Sequence, residues 1–442
     1  MIDIWLLRDD KDGNSEAVRE SQRRRFADVT LVDQVIDKDK QWRESVVKKE
    51  KLRAELNRTS KQIGKLVKDG EDITEHRATV ASLKLEITQL DAFEATLLSE
   101  RDEILKTIGN IVEPQVLFSN NEEQNRVIST FSSPEPRDHP ATHSHVDLLH
   151  MIGGVDYERG TKVGGSRSYF LTGPGVKLNM ALIMCGLNFL SDREYTPCQV
   201  PYLVKPEVMA ATAQLSDFDD QLYNVGSDKD LKYLIATSEQ PLSALHQGEW
   251  LAPQDLPKRY AGFSTCFRKE AGTHGRDTLG IFRTHQFEKV EQFTVTEPSK
   301  SKEMFDEMIG NAKDFMELLG LPYREVEIVS GALNNAAAVK HDVEGLFRHS
   351  NVYRELVSCS NCTDYQSRRL DIRYRSAGKS GSLKGQAKEY VHLLNSTLTA
   401  TGRTLCCILE QYQTPEGIEV PKALVPYFGS DFIPFVKAPL KN

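Results

Sequence analysis

Residues 265 to 293, TCFRKEAGTHGRDTLGIFRTHQFEKVEQF, have residue types and a spacing that could perform chemistry. Side chains alternate between the two faces of a strand, so Arg268 and Glu270 share one face of a first strand. Alternation along IFRTHQFEKVEQF places five side chains on one face of a second strand: Arg283, His285, Phe287, Lys289 and Glu291. The intervening AGTHGRDTLG has the composition of a long hairpin loop. A strand face with charges and an aromatic ring is not a core face, and we expect it to hold a ligand.

Other segments of the chain also keep polar residues where a strand or helix face should be apolar. They are TSEQ (237–240), RELVSCSNC (354–362) and LLNSTLTATGRTLCCILE (393–410). Taken singly each signal is weak, because an Arg-x-Glu on a strand is usually a surface salt bridge. Together the segments supply two arginines, carboxylates, an aromatic ring and hydroxyls, which suits a nucleoside triphosphate with Mg²⁺. The chain has neither GxxxxGK[ST] nor a GxGxxG after a strand, so the two commonest nucleotide cradles are absent from the sequence.

The composition is that of a folded protein with room for two or three domains. The 442 residues are 39% hydrophobic and 27% charged, and the net charge of −8 does not exclude a local nucleic-acid-binding patch. Seven scattered cysteines favour reduced thiols. Neither a targeting segment nor a membrane-spanning run is evident. The sequence therefore predicts a soluble cytoplasmic protein without a membrane segment.

Residues 38–108 differ from the rest of the chain, because they lack proline and carry two heptad patterns separated at Gly70. The pattern predicts an antiparallel helical hairpin, an arm roughly 45–50 Å long at 1.5 Å per residue. Residues 38–69 contain eleven Lys and Arg against five acids, whereas 71–103 contain three against nine. One interpretation is charge pairing between the helices. The other is that the basic helix also follows a phosphate backbone, through Arg53, Arg58, Lys61, Lys65 and Lys68.

The remainder of the chain is predicted to be a linker followed by a larger domain. Residues 112–141 are rich in Pro, Ser, Asn and Glu, which indicates a linker with one short strand. Residues 142–442 mix strands and helices without βαβ alternation, which predicts an antiparallel sheet in an α+β domain. Pro201 indicates that its strand lies at an edge or an interface.

The chain resembles the seryl-tRNA synthetase family of the eukaryotic cytosolic type, essentially from end to end. The resemblance rests on SHVDLLHMIGG, GSRSYFL, YLIATSEQPL, YRELVSCSNCTDYQSRRL and ATGRTLCCILEQYQTPEGIEVP. Three further stretches are similar to the three signatures of class II aminoacyl-tRNA synthetases: GLNFLSDREYTPCQVP, FRKEAGTHGRDTLGIFRTHQFEKVE and TGRTLCCILE. The resemblance implies an α+β fold with an N-terminal antiparallel coiled-coil arm and a class II catalytic domain built on an antiparallel sheet flanked by helices. The implied domains are 1–111 (tRNA-binding, with the arm), the linker 112–141 and the catalytic domain 142–442.

The resemblance also implies a reaction and its participants. Serine and ATP would give seryl-adenylate and pyrophosphate, and the seryl group would then pass to the terminal adenosine of serine tRNA. The implied cofactors are ATP and Mg²⁺, and the implied assembly is a homodimer formed through the Pro201 segment. The arm would bind tRNA.

Site residues follow from the resemblance position by position. The implied catalytic residues are Arg268, Glu270 and Arg403, with Arg268 on the α-phosphate and Arg403 on the far phosphates. Glu270 would bind the adenine amino group, and Phe287 would stack on the adenine ring. The implied ATP-binding residues are Arg268, Lys269, Glu270, Thr284, His285, Gln286, Phe287, Glu355, Leu356, Val357, Ser358 and Arg403. The implied serine-binding residues are Thr237, Ser238, Glu239, Arg268, Glu291 and Asn395. The implied Mg²⁺ ligands are Glu355 and Ser358.

Several alternatives stay open at the level of sequence. Asn395 could be an amide on a helix surface, and Cys359-x-x-Cys362 could hint at zinc, although structural thiols suit a chain without a second ligand pair better. His274 and Arg276 in the loop either contact the tRNA end or lack a binding role. One competing function is a related ligase that loads a carrier protein, for which we expect no arm. Another is a catalytically inactive scaffold or an RNA-binding regulator, for which we expect loss of Arg268, Glu270, Glu355 or Arg403.

Overall fold

The computed structural model describes residues 1–133, 139–213, 221–227, 229–271, 280–374 and 389–440. Its internal contacts divide the chain into two units, Met1–Ile111 and Val112–Asn442. His274 and Arg276 of the predicted loop lie outside the described residues, as do residues 134–138 of the predicted linker.

The first unit consists of α1 (Ser15–Arg24), α2 (Thr30–Asp69) and α3 (Thr74–Leu105). The two long helices pack against each other, as the heptad patterns predicted. The helix α2 ends where Gly70 adopts a left-handed conformation (φ 76°), which glycine accepts without steric cost. The Asp72 carboxylate then accepts hydrogen bonds from the backbone N–H and the hydroxyl of Thr74 and so starts α3. The helix α2 begins eight residues before the predicted arm.

The contact between α2 and α3 includes charged pairs at heptad positions where leucine is usual. Arg101 donates to Asp39 at 2.8 Å, and both side chains are nearly buried. Lys49 pairs with Glu94 and, at 2.8 Å, with Asp91. Interhelical charge pairing therefore accounts for part of the opposite charge of the two helices.

The second unit is organised around an eight-stranded sheet with the order β1-β11-β12-β13-β16-β10-β9-β4. All neighbouring pairs are antiparallel except β4 and β9, which are parallel. Its strands are β1 (Arg126–Phe131), β4 (Thr196–Gln199), β9 (Lys258–Phe267), β10 (Gln286–Thr296), β11 (Tyr323–Glu327), β12 (Val339–Phe347), β13 (Val352–Asn361) and β16 (His392–Ala400). Shorter strands form small sheets: β2 (Val155–Asp156), β3 (Phe170–Leu171), β5 (Leu203–Val204), β6 (Asn224–Val225), β7 (Lys232–Leu234), β8 (Trp250–Leu251), β14 (Arg373–Tyr374), β15 (Glu389–Tyr390), β17 (Gly417–Glu419) and β18 (Phe432–Pro434).

Helices flank this sheet, so the predicted α+β class is confirmed. They are α4 (His145–Met151), α5 (Tyr157–Gly164), α6 (Gly173–Ser191), α7 (Pro206–Thr212), α8 (Glu239–Ser243), α9 (Ser301–Leu318), α10 (Tyr365–Leu370), α11 (Thr401–Tyr412) and α12 (Val425–Phe428). The segment after residue 112 supplies the edge strand β1, and the side chains of Val112 and Val116 are buried in the main core. Among the described residues, no helix combines the length and the apolar character needed to cross a membrane.

The two faces of β10 have different environments. Val290 is buried in the main core, and the Gln292 amide donates to the Met308 carbonyl of α9. The alternate residues Phe287, Lys289 and Glu291 line a cavity. The period-two alternation of a strand thus separates the core from a polar site.

Candidate active site

A cavity of about 370 Å³ lies over the central strands of the second unit. Twelve of the residues implied by the sequence line it: Thr237, Glu239, Arg268, Glu270, Thr284, Phe287, Glu291, Glu355, Leu356, Ser358, Asn395 and Arg403. Five segments that are up to 166 residues apart (residues 237 to 403) therefore converge on one space.

The strand boundaries near the cavity differ from the prediction. The strand expected over residues 281–293 begins at Gln286, and β9 ends at Phe267, so Arg268 and Glu270 follow β9 instead of lying in it. Glu270 has a left-handed backbone (φ 51°), which ends the extended conformation. Both side chains nevertheless line the cavity.

Arg268 is fixed from two sides. Its backbone N–H donates to the His285 carbonyl at 2.9 Å, and its Nε donates to the Ala236 carbonyl at 3.3 Å. The guanidinium lies 5.2 Å from the centre of the Phe287 ring, within the range of a cation–π contact. The cavity therefore presents a cation and an aromatic ring side by side, which suits a phosphate joined to a planar base.

Glu270 and Arg283 form an ion pair at the cavity wall, with Arg283 Nη1 3.1 Å from Glu270 Oε2. The Glu270 side chain is nearly buried. The pair holds the carboxylate in one orientation, as an acceptor for a hydrogen-bond donor in the cavity.

Glu291 is the centre of a buried hydrogen-bond network. Its Oε2 accepts from the hydroxyls of Thr237 (2.7 Å) and Ser238 (2.6 Å) and from the backbone N–H of Glu239 (3.0 Å). Its Oε1 accepts from Lys289 Nζ at 2.6 Å. Burial opposes ionisation, but Lys289 and the hydroxyl donors hold the pKa of the Glu291 carboxyl below its usual value.

Glycine is required opposite this network. Gly262 pairs with Glu291 across β9 and β10. A Cβ atom at Gly262 would lie 2.8 Å from Ser238 Oγ and 2.7 Å from Leu242 Cδ1. Any larger residue would displace the hydroxyl that donates to Glu291.

Glu239 is the second acid of this part of the cavity, and its environment differs from that of Glu291. Burial raises the pKa of the Glu239 carboxyl to about 7, and the charge of Glu291 adds to the rise. Glu239 Oε1 accepts a hydrogen bond from the Gln366 amide at 2.8 Å. Two neighbouring acids with separated pKa values can therefore serve different ligand groups.

A bulge in β13 aligns Glu355 with Ser358. Residues three apart on a regular strand point to opposite faces, yet both side chains line the cavity. The register against β12 shifts there: Val343 pairs with Val357 and Glu344 pairs with Glu355, so Leu356 is the extra residue. The bulge therefore turns an acid and a hydroxyl to the same side.

Glu355 and Arg403 contact each other in the cavity. Arg403 Nη1 lies 3.3 Å from Glu355 Oε2 and donates to the Glu355 carbonyl at 3.2 Å. Partial burial opposes the charge of Glu355, but Arg403 and then Lys340 hold the pKa of its carboxyl below the usual value. The side chain of Glu355 is 46% exposed, so it remains accessible from the cavity.

Arg403 is also supported by an aromatic ring that the sequence did not single out. Its guanidinium lies 5.0 Å from the centre of the Phe282 ring, and the guanidinium of Arg354 lies 5.2 Å from the same centre. Phe282 contacts Phe347 edge to face at 5.5 Å. Arg403 sits near the start of α11, where a Cβ atom at Gly402 would approach the Ile281 carbonyl to 2.8 Å.

Five predicted site residues do not line the cavity: Ser238, Lys269, His285, Gln286 and Val357. The Ser238 hydroxyl donates to Glu291, and Val357 is buried in the main core. His285 Nδ1 faces the Arg268 carbonyl at 3.0 Å, so it departs from the shared face that alternation predicted. Gln286 is exposed, and the Lys269 backbone N–H donates to the Gln221 carbonyl.

Other residues line the cavity although no binding role was assigned to them individually from the sequence. They are Ile281, Phe282, Arg283, Lys289, Asn334, Lys340, Ser360, Thr397, Ala400 and Gly402. Arg283 and Lys289 belong to the face that alternation identified, and Thr397 is two residues from Asn395 on β16, so both signals were available. Asn395 is buried on a strand, so the alternative of a helix-surface amide is wrong.

The five basic residues proposed for tRNA lie on α2 in the other unit. Arg58, Lys61 and Lys65 line one surface groove of about 380 Å³. Arg53 lies 3.6 Å from Asp91 of α3, whereas within the described part of the chain no ion pair involves Lys61, Lys65 or Lys68. These three lysines are exposed.

The cysteines are free thiols, and Cys359 and Cys362 are buried. Across the described ranges, no group of three or more His, Cys, Asp or Glu side chains is placed to hold a metal ion. The two predicted Mg²⁺ ligands, the Glu355 carboxylate and the Ser358 hydroxyl, both line the cavity.

Two family models match the chain. Residues 223–412 match the class II tRNA synthetase core domain (G, H, P, S and T), and residues 1–112 match the seryl-tRNA synthetase N-terminal domain. Together with the antiparallel sheet and its polar cavity, the first match defines a class II aminoacyl-tRNA synthetase.

The similarity to individual proteins is more specific. The chain is 53% identical to the cytoplasmic serine–tRNA ligase of Dictyostelium discoideum, over all of the chain and 96% of that protein. Among solved structures, it is 48% identical to the cytoplasmic serine–tRNA ligase of Naegleria fowleri in complex with AMP (TM-score 0.88, 99% of both chains). It is 38% identical to the seryl-tRNA synthetase of Pyrococcus horikoshii complexed with ATP (TM-score 0.91, 99% of this chain and 100% of that one).

The chain belongs to the seryl-tRNA synthetase family. The predicted reaction, ATP-dependent activation of serine and transfer of the seryl group to tRNA, is confirmed, and so is the cytoplasmic location. Neither the carrier-protein ligase nor the inactive scaffold is supported, since the arm and the site residues Arg268, Glu270, Glu355 and Arg403 are all present.

Proposed function

We propose that this cavity is where serine and ATP are joined as seryl-adenylate, and that the residues implied by the sequence carry the step. The observation that supports the proposal most strongly is convergence: Arg268, Phe287 and Arg403 line the same space as Glu239 and Glu291. A triphosphate and a small amino acid therefore have complementary groups within reach of one another.

Activation requires the serine carboxylate to attack the α-phosphorus while pyrophosphate leaves. Arg268 would hold the α-phosphate and neutralise the charge that develops there, because a fixed cation needs no reorganisation during the reaction. Phe287 would stack on the adenine ring, and Glu270, oriented by Arg283, would accept from the adenine amino group. Arg403, held by Glu355 and Phe282, would contact the far phosphates.

Serine would be bound by the two acids and their neighbours. The substrate has one ammonium and one hydroxyl, and Glu239 and Glu291 are the acids available to them. Thr237 and Asn395 line the same part of the cavity, and Ser238 fixes Glu291 from behind. Such a site rejects alanine, because its buried polar groups would be left unpaired.

The donor set fits a hard divalent cation such as Mg²⁺, with Glu355 and Ser358 as protein ligands and substrate phosphates as the remaining ones. Asp342, paired with Ser358 across β12 and β13, adds a buried carboxylate oxygen that has no hydrogen-bond partner among the described residues. A divalent cation held there would supply charge neutralisation for the phosphates. Glu355 and Ser358 would position it, and Arg403 would share Glu355 with it.

The basic side of α2 would bind serine tRNA. Lys61, Lys65 and Lys68 are exposed, and no ion pair within the described part of the chain competes for them. Arg58 shares a groove with two of these lysines. Phosphate contacts of this kind give affinity that falls steeply with salt.

The second unit would form a homodimer through the edge that contains Pro201. The strand β4 is the last of the large sheet, and Pro201 follows it and is exposed. Along α6, Val176, Met180 and Met184 form an exposed apolar stripe at four-residue spacing. A second copy would cover both features. Sedimentation of a Met180→Glu, Met184→Glu variant should show monomers, whereas Val163→Glu, an exposed control, should remain dimeric.

The amino acid is tested by ATP–pyrophosphate exchange with each of the twenty amino acids. We expect rapid exchange with serine, a low level of exchange with alanine and threonine, and none with the other amino acids. Equal exchange with another amino acid would overturn the assignment of the acids in the cavity.

A further inference from the structure

Lys289 is a buried cation that none of the roles above employs. Its side chain is only 7% exposed, and it lines the cavity beside Glu291. Its Nζ donates to Glu291 Oε1 at 2.6 Å and to Thr237 Oγ1 at 2.7 Å. The ammonium is therefore held in one position at the floor of the amino-acid site.

The network leaves Glu291 with little capacity for further hydrogen bonds. Three donors occupy Oε2, while Oε1 already accepts from Lys289. Oε2 therefore has no further capacity, whereas Oε1, which has a single donor, can still accept a bond from the cavity. Glu291 is thus prepared to bind one donor, close to a fixed positive charge.

The two acids differ in their neighbours. Lys289 compensates the charge of Glu291 directly, whereas Glu239 receives a neutral amide from Gln366 and no other side-chain hydrogen bond among the described residues. A substrate ammonium at Glu291 would lie against another ammonium and would be repelled. At Glu239 the same ammonium would pair with a carboxylate that no lysine or arginine among the described residues contacts, so it would not be repelled.

From this geometry we infer that Lys289 divides the work between the two acids: it makes Glu291 the acceptor for the serine hydroxyl and leaves Glu239 for the serine ammonium. The inference rests on the proposed binding of serine in this cavity. Lys289 is then a positioning and specificity residue, since it acts through the charge of Glu291.

The pKa values of the two acids support this division. Lys289 is the largest favourable influence that holds the pKa of Glu291 low, so Glu291 stays an ionised acceptor despite burial. The pKa of Glu239 is about 7, and an approaching ammonium would favour its ionised form. The other charged or titratable groups that face the pair are Arg268 and the Cys266 thiol.

The test uses substrates that differ at the hydroxyl. Alanine lacks the hydroxyl, and 2,3-diaminopropionate carries an amine in its place. For Lys289→Met we expect the serine-to-alanine ratio of kcat/KM in pyrophosphate exchange to fall at least about ten-fold. We expect the diaminopropionate-to-serine ratio of kcat/KM to rise by a similar factor, because the Lys289 ammonium no longer repels the side-chain amine. Lys289→Arg keeps the charge and should restore both ratios.

A matched control separates specificity from folding. Lys313 of α9 contacts the buried carboxylate of Glu325, on β11 of the same sheet, at 2.9 Å, away from the cavity. Lys313→Met should lower the melting temperature and leave both ratios unchanged. Lys289→Gln keeps a hydrogen-bond donor to Glu291 but removes the charge. We expect it to change both ratios as Lys289→Met does.

Unchanged ratios in Lys289→Met and Lys289→Gln, with exchange lowered equally for all substrates, would overturn the inference and leave a structural role. If the unaltered protein lacks serine-dependent exchange, the proposed function fails instead. The two failures are therefore distinguishable.

Discussion

Lysines have opposite environments in the two units of this protein. Lys61, Lys65 and Lys68 of α2 are exposed, and no ion pair engages them in the part of the chain that the structure describes. Lys289 is buried and held by two hydrogen bonds shorter than 2.8 Å. Cations that remain in water can adapt to a polyanion of irregular shape, whereas a buried cation enforces one geometry on a small ligand. We therefore expect binding through the exposed lysines of α2 to weaken with salt, and serine binding beside Lys289 to be insensitive to salt.

The same contrast exists within the arm. Lys49 contacts Asp91 and Glu94, and Arg53 lies 3.6 Å from Asp91. Beyond them, the three lysines form no ion pair within the described residues. Charge pairing therefore accounts for the first part of the basic helix, and phosphate binding is our proposal for the part that follows it. Arg53 is accordingly the weakest of the five candidates for tRNA contact.

The largest expected effect is at the cavity. Arg268→Ala should lower serine-dependent pyrophosphate exchange by about a thousand-fold, because a fixed cation aimed at developing charge is lost. The comparison variant is Arg259→Ala, which removes an arginine of β9 that pairs with Glu307 outside the cavity. Near-normal exchange in Arg268→Ala would show that this residue does not hold the α-phosphate.

The arm should produce the next largest effect, and only in the second step of the reaction. Replacing Arg58, Lys61, Lys65 and Lys68 by glutamine should lower kcat/KM for tRNA by about a hundred-fold. It should also reduce the slope of log affinity against log salt by about three units. Pyrophosphate exchange should stay unchanged. As a control, Lys48→Gln removes a lysine that pairs with Glu86. An unaltered salt slope in the fourfold variant would remove the arm from tRNA binding.

Glu239 should give a moderate, pH-dependent effect. Its raised pKa of about 7 means that the free carboxyl is mostly protonated at pH 6 and mostly ionised at pH 8. Only the ionised form attracts the serine ammonium, so KM for serine should fall about ten-fold as pH rises across this range. In Glu239→Gln, KM should be higher and independent of pH. A KM that falls equally in both proteins would assign the titration to another group.

The arm could be predicted from the sequence because its determinants are local. Heptad spacing, the absence of proline and a glycine at position 70 each act within one or two helical turns, and the structure has both helices. Charged residues at heptad positions, such as Glu94 and Arg101, weakened the pattern without ending it, because each has a charged partner across the helix pair.

The cavity could be predicted only in part, because β-bulges alter which residues share a face. The bulge at Leu356 joins Glu355 to Ser358, and a second register shift, opposite Val290 and Glu291, lets Ala400 line the cavity with Thr397. Nothing in the spacing marks either position. The family resemblance supplied Glu355 and Ser358, whereas Lys340 and Phe282 had no signal at all.

Phe282 should give the smallest effect. Its only proposed contribution is the contact between its ring and the Arg403 guanidinium. Phe282→Leu keeps an apolar side chain and removes the cation–π contact to Arg403, which is worth about 0.5–1 kcal/mol, or roughly two- to five-fold in rate. The loss should appear in kcat/KM for ATP, with KM for serine unchanged, because Arg403 faces the phosphates. Phe189→Leu is the matched control: Arg193 lies 3.7 Å from the centre of that ring, away from the cavity. Equal losses in the two variants would mean that Phe282 contributes packing alone, and that Glu355 is sufficient to hold Arg403 in place.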